Sequence, residues 1–293
     1  MVASTPVNPI TRRVCAVILA TVAAFAFTGP SYAKELTKAS LRLKWLASAQ
    51  FAGYYVAKDK GWYEAEGIDL AINPGGPNII GENLVASGVD TFGHAGGAAT
   101  LLQARSKSLP LAGIAMMFQE TPYLFVAREK SGIKSLSDFQ GKTVTTWFTG
   151  PQFMLQALLK AKNVPLDKVR IQAQSASMVP FIEGKIDVAT VTLYNELPAL
   201  KREGITDLTL FNPATMGVNL PNEVIIVNEK FGKDNQKLVQ SFLNASLRGW
   251  SYALGHPKEA IDIVMKAIPA GNRIEQEEQV PGLTELILAG PGT

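Results

Sequence analysis

Cysteine is all but missing from this sequence. The single one, Cys15, lies within the first 33 residues and follows Arg12, Arg13 and Val14. Those neighbours are not the small apolar residues of a lipoprotein cleavage site. From residue 34 onward there can be no disulfide framework, no thiolate nucleophile and no cysteine-based metal site. Histidine is nearly as scarce, with only His94 and His256, so metal and acid–base chemistry have few candidates. Neither a His-Glu-x-x-His metal motif nor a Gly-x-Ser-x-Gly nucleophile elbow occurs. No catalytic residue, metal or cofactor is implied. After the first 33 residues no apolar run approaches the roughly 20 residues of a membrane span. A strong charge of one sign is lacking too: without Arg12 and Arg13 the formal net charge falls from +3 to +1. Near neutrality with mixed charges argues against a nucleic-acid partner.

The first 33 residues do carry a pattern. Residues 1–13 hold no acid and end in Arg12-Arg13, and residues 14–27 are almost unbroken apolar sequence. Thr28-Gly29-Pro30 and then Ser31-Tyr32-Ala33 follow. A basic region, an apolar region and a small-residue site make a secretory signal, cleaved after about Ala33. The expected mature protein is soluble and works outside the cytoplasm. At about 260 residues it is long enough for one large core or two modest ones.

Short apolar runs then alternate with amphipathic stretches. Strands are expected over 41–46, 68–72, 91–94 and 111–118, with helices over 51–60, 79–87 and 97–107 between them. A second cycle places strands over 123–127, 142–146, 169–172, 188–191 and 208–211, with helical segments over 135–139, 151–162, 178–183 and 195–202. A strand over 224–227 and helices over 234–254 and 258–267 complete the pattern. This alternation predicts an α/β fold with largely parallel sheets. The segments beginning at Leu84 and Phe181 each run from a helix end through a glycine into a buried strand with an acid at its mouth (Gly88 with Asp90, Gly184 with Asp187). The echo suggests two lobes of one design.

Gly141-Lys142-Thr143 imitates the end of a phosphate-binding loop, but the first glycine of that motif would fall on Leu136. The segment also leads into a strand rather than a helix. Gly93-His94-Ala95-Gly96-Gly97 stands between a strand and a helix, where His94 is placed either for ligand contact or for a loop or core role. His256 precedes Pro257 at a helix start and reads as a surface residue. The richest stretch runs from Trp45 to Tyr63. Ligands of open α/β sheets bind outside the carboxyl ends of the strands. Trp45, at the end of the first strand, and Gln50, Phe51, Ala52 and Gly53, opening the next helix, are therefore candidate contacts. Tyr54, Ala57 and Gly61 recur at helical spacing as packing positions.

These residues carry a resemblance. Trp45, the run from Gln50 to Ala57, Gly61-Trp62-Tyr63 and Gly67-Ile68 resemble the NMT1/THI5-like family of periplasmic substrate-binding proteins, relatives of the sulfonate and nitrate binding proteins of ABC importers. The blocks 118–123, 132–142 and Tyr194-Asn195-Glu196 resemble further family motifs in the same order. Together they cover roughly residues 40–265.

The resemblance implies a type II binding-protein fold of two lobes, each a mostly parallel sheet flanked by helices, with the ligand in a cleft between them. Residues 34–126 and 223–293 would form the first lobe and residues 127–222 the inserted second. It implies a small aromatic heterocycle as ligand, of the thiamine-precursor pyrimidine type. Trp45 and Trp147 would stack on the ring, although Trp147 also reads as a buried packing residue. Glu196 would accept from an exocyclic amine, and Thr149 and Gly150 would offer N–H groups. Tyr194 and Asn195 would lie beside them. The partners implied are an ABC permease and its ATPase, with a monomeric carrier touching the membrane only through the permease. The alternatives are a sulfonate- or nitrate-type anion and, in a different class, the family's pyrimidine-synthesising enzymes. Those enzymes use a cysteine-rich motif and histidines, which a mature chain without cysteine and with only two histidines does not fit. Family members also continue past the helix at 258–267 with further helices, whereas the end of this sequence looks short or altered.

Overall fold

The computed structural model describes Met1 and residues 35–289. The expected leader and its cleavage site lie outside the described residues, Met1 apart. Residues from Leu36 onward form one compact unit, built on two five-stranded sheets.

The first sheet begins with β1 (Thr37–Arg42), where Ala39, Leu41 and the following Leu43 are buried on alternate positions. That is the period of a strand with one face in the core. β1 pairs in parallel with β2 (Ile68–Asn73) and β3 (Phe92–Ala95). The strand expected over 41–46 therefore stops earlier, and residues 44–48 bend away. The cause is tertiary. The loop after β2 crosses the strand end so closely that a Cβ on Gly75 would run into the Leu43 carbonyl. Arg42 is held there by Asp90 and by the Pro74 carbonyl, each at 2.7 Å. Lys44 and Trp45 are turned out of the ladder as a result.

β4 (Leu111–Phe118) completes the outward run of the first sheet. The chain then enters the second sheet as β5 (Tyr123–Arg128), followed by β6 (Thr143–Thr146), β7 (Arg170–Ala173), β8 (Val188–Thr192) and β9 (Leu208–Phe211). It returns to the first as β10 (Asn222–Asn228). The strand orders are β2-β1-β3-β10-β4 and β7-β6-β8-β5-β9. β10 is antiparallel to both its neighbours, and so is β5. The sheets are thus mostly parallel, as expected, with one strand reversed in each. Four strands of each sheet point towards the cleft, but the one that carries the chain across enters from the cleft and must run the other way.

The helix Gln236–Gly255 crosses the helix Ala52–Asp59 at two glycines. A Cβ on Gly249 would run into the Gly53 carbonyl, and one on Gly53 into the Trp250 ring. Below this crossing Phe242 stacks on Phe92 with centroids 4.0 Å apart and on Tyr63 at 5.9 Å. Each such ring, fully buried, contributes about 1.5–3 kcal/mol.

The chain continues in structure beyond the helix Pro257–Ala267. A helix spans Arg273–Leu288, capped by Asn272, whose side chain accepts from Ile274 N–H. Its interior Pro281 and Gly282 hide it from a periodicity reading. A Cβ on Gly282 would come within 2.9–3.0 Å of Leu193 and Tyr194, so glycine lets the helix lie against that turn. The helix touches both lobes. Gln276 Oε1 accepts from Ala49 N–H at 2.7 Å, Gln279 donates to Asn195 at 3.0 Å, and Arg202 pairs with Glu275 and Glu278.

Candidate functional site

The carboxyl ends of the two sheets face each other across a crevice bordered by Lys44, Trp45, Gln50, Tyr123, Trp147, Thr149, Pro151, Thr192, Tyr194, Asn195 and Glu196. Trp45 comes from the bend after β1 and Trp147 from the residue after β6. Their rings meet edge to face, 5.2 Å between centroids and 62° apart. Trp147 is held by its indole N–H, which donates to the Ser175 carbonyl at 3.1 Å. With the indoles in contact the crevice has free space of only about 20 Å³, enough for about one water. A planar ligand can enter only if the lobes part.

The first lobe supplies a charged floor. Lys44 Nζ pairs with Glu223 and donates to the Tyr123 hydroxyl at 3.2 Å. An ammonium has three donors, so one is left for the crevice. Glu223 also accepts from Gln50 at 2.7 Å and from His94 Nδ1 at 3.0 Å. A carboxylate only accepts, so that nitrogen carries the proton. Burial alone would raise the Glu223 carboxyl, but the Lys44 charge and the His94 hydrogen bond outweigh it and hold it below its ordinary range. Lys44 is correspondingly raised: burial works against its charge, and the field of Glu223 overcomes that. Glu223 has a left-handed backbone, φ 58°, a conformation costing a non-glycine residue roughly 1–2 kcal/mol. Strain of that kind persists where the surroundings enforce it.

The second lobe supplies an acceptor. Glu196 opens the helix Glu196–Arg202 and is 5 % exposed. One carboxylate oxygen accepts from Thr192 N–H at 2.9 Å and from the Thr192 hydroxyl at 2.6 Å. The other accepts from the Asn195 amide at 2.8 Å and has a lone pair to spare. Asn195 is itself fixed by Gln279. The crevice therefore offers an aromatic face and a hydrogen-bond donor from one lobe, and an aromatic face and an acceptor from the other. Two carboxylates against one ammonium disfavour an anion.

Of the residues predicted from sequence, Trp45, Gln50, Trp147, Thr149, Tyr194, Asn195 and Glu196 are brought together. Phe51, Ala52 and Gly53 are not. Phe51 is fully buried in the core, while Ala52 and Gly53 serve the helix crossing. The helix begins at Ala52, one residue later than expected, and a 3-10 turn over Ala49–Phe51 leads into it, turning those positions into the core. His94 lies behind Glu223, 2 % exposed, with the rings of Phe51 and Tyr54 edge-on at 5.3 and 5.1 Å. Its role is to hold Glu223, not to touch the crevice. Gly150 N–H is taken by Gln152 at 2.7 Å, and its backbone meets Gly96 of the other lobe. Sequence reasoning missed Lys44, Tyr123, Thr192 and Glu223. Lys44 alone had a local signal, a charge beside Trp45 at a strand end.

Among the described residues no three His, Asp or Glu side chains gather so as to hold a metal ion, and no helix is long and apolar enough to cross a membrane. The structural likeness is broad. The alkanesulfonate-binding protein SsuA of Xanthomonas axonopodis pv. citri superposes with a TM-score of 0.67 at 14% identity, covering 85% of this chain and 84% of that one. SsuA of Escherichia coli gives 0.66 at 12%, covering 84% and 83%. At such identities the likeness shows the fold alone. Sequence relatives are nearer. The riboflavin-binding protein RibY of Chloroflexus aurantiacus is 31% identical over 253 residues, 83% of this chain and 70% of that protein. A formylaminopyrimidine-binding protein of Halalkalibacterium halodurans is 26% identical, covering 79% and 71%. A 4-amino-5-hydroxymethyl-2-methylpyrimidine phosphate synthase of Candida albicans is 29% identical, covering 76% and 69%. The family model described as NMT1/THI5 like matches residues 48–260, and the chain belongs to that family.

Proposed function

We propose that this chain is the exported solute-binding subunit of an ABC importer and that it captures a small aromatic heterocycle with a pyrimidine-type edge. One observation carries the reading: Trp45 and Trp147, one from each lobe, meet over a donor, Lys44, and an acceptor, Glu196. A planar ring between the indoles would gain about 0.5–1.5 kcal/mol per stacked pair beyond its burial. A ring acceptor beside an N–H, the edge shared by aminopyrimidines and by the dione ring of a flavin, matches Lys44 and Glu196 together. Since those groups belong to different lobes, the ligand would close the cleft as it binds. The names of the Chloroflexus and Halalkalibacterium relatives, which bind riboflavin and formylaminopyrimidine, support this chemistry. Export rests on the leader, and a permease and its ATPase would be the partners. Synthase relatives favour a second reading, an enzyme of pyrimidine synthesis. The crevice supports capture, because Lys44 is held by Glu223 and Glu196 by Thr192 and Asn195, each leaving one hydrogen-bonding position for a ligand.

The test is equilibrium binding of riboflavin and formylaminopyrimidine to wild type, Trp147→Ala and Glu196→Gln. Loss of one charge-assisted hydrogen bond costs about 1.5–3 kcal/mol, so Glu196→Gln should weaken binding tenfold or more. Loss of a stacking face should do the same for Trp147→Ala. Unchanged affinity in both variants would refute the assignment of the crevice.

A further inference from the structure

The seam between the lobes holds a second chamber, and Thr149 borders both it and the crevice. Its free space is about 190 Å³ against about 20 Å³ in the crevice. One wall comes from the first lobe, through the helices Gly81–Ala86 and Ala98–Ser106, and the other from Phe148 and Gln152 of the second. Phe148 is half exposed over it.

Thr100 and Gln152 are hydrogen-bonded to nearby backbone, but three other polar side chains here are unspent. Among the described residues the side chains of Asn83, Gln103 and Lys107 make no hydrogen bond, although all three border the chamber. Amides both donate and accept, so they suit hydroxyl groups, which do the same. The buried Glu82 carboxyl, raised by its burial, accepts from Gly96 N–H. A third cavity of about 440 Å³ also borders Asn195 and Glu196. There Asn195 is engaged by Gln279, and Arg202 by Glu275 and Glu278.

We propose that the chamber beyond Thr149 takes a hydroxylated side chain of the ligand, so that this protein prefers a ring system bearing a polyol tail, a ribityl-substituted flavin, to a bare pyrimidine. The inference rests on the heterocycle reading above. Ring and tail would then be closed over together, since both spaces lie in the same seam.

The experiment compares riboflavin with lumiflavin, which has the same ring system with a methyl group in place of the ribityl chain. Binding to the purified protein is followed by quenching of flavin fluorescence. Riboflavin should bind at least tenfold more tightly, the equivalent of about 1.4 kcal/mol. In the double variant Asn83→Ala, Gln103→Ala the two ligands should come within twofold of each other. Equal affinities in the wild type would overturn the inference, as would a preference that survives the double substitution. If formylaminopyrimidine binds and neither flavin does, the chamber assignment falls while heterocycle capture stands. If none of the three binds, the capture reading itself falls.

Discussion

Replacing Glu223 by Gln removes the one negative charge that faces Lys44 in the floor of the crevice. The side chains of the pair are 2 % and 11 % exposed, so water cannot take the place of the carboxylate. Breaking a buried pair from one side costs about 3–5 kcal/mol, because the remaining ion is left uncompensated. Gln50 and His94 both donate to Glu223, so the new amide also sets an N–H against a donor. With about 2–4 °C lost per kcal/mol for a chain of this size, the melting temperature should fall by roughly 6–20 °C. Adding Lys44→Met should recover most of the loss, since an apolar replacement of a whole buried pair is often neutral. The pH dependence has a definite sign. Glu223 is depressed in the fold, so its contribution is present above the ordinary carboxylate range and disappears as pH falls through its lowered value. Lys44 is raised, so its contribution is complete below the ordinary lysine range and disappears only as pH climbs through its raised value. Wild type and Glu223→Gln should therefore differ most near neutrality and converge in acid. Denaturant unfolding at several pH values measures this. A loss below about 1 kcal/mol at neutral pH, or a double variant no more stable than the single one, would refute the reasoning.

Three glycines give further tests. Gly249→Ala should cost about 1–3 kcal/mol by overpacking, because its Cβ would run into the Gly53 carbonyl; urea unfolding reads this directly. Gly96→Ala should hold the lobes apart, since the new methyl would meet the Thr149 carbonyl of the other lobe. Small-angle scattering should show a larger radius of gyration than wild type, with ligand affinity reduced. Gly282→Ala should push the C-terminal helix off Leu193 and Tyr194, and amide exchange should then quicken over residues 273–288.

Much of this architecture can be read from the chain, and the gaps share one cause. The strands Leu111–Phe118 and Leu208–Phe211 stand where their apolar runs stand, because burial on a sheet is a local demand that leaves a local pattern. Trp45 could be found because it sits near the carboxyl end of a strand, where ligands of such sheets bind, whereas Trp147 and Glu196 were reached only through the family resemblance. The early end of β1 was invisible, since Leu41 to Leu46 alternates well and only the crossing of Gly75 stops the ladder. The helix Arg273–Leu288 was hidden by Pro281 and Gly282, which its packing tolerates and its propensity does not. Glu223 and Lys44 could not be paired from sequence, because β10 meets the floor of the crevice only after the chain has built the whole second sheet. His94 was drawn into the candidate site by its residue type. Its strand position instead puts it one layer deeper, beneath the carboxylate that it holds.

The central claim, capture of a heteroaromatic ring between Trp45 and Trp147, is tested most directly by a thermal-shift panel of riboflavin, formylaminopyrimidine, an alkanesulfonate and nitrate. Binding to the native state alone stabilises it by RT ln(1 + [L]/Kd), about 2.7 kcal/mol at a hundredfold excess over Kd. For this chain that is a rise of roughly 5–11 °C. The account predicts such a rise with at least one of the two heterocycles and none with the anions. A rise with the sulfonate or nitrate and none with either heterocycle would contradict it.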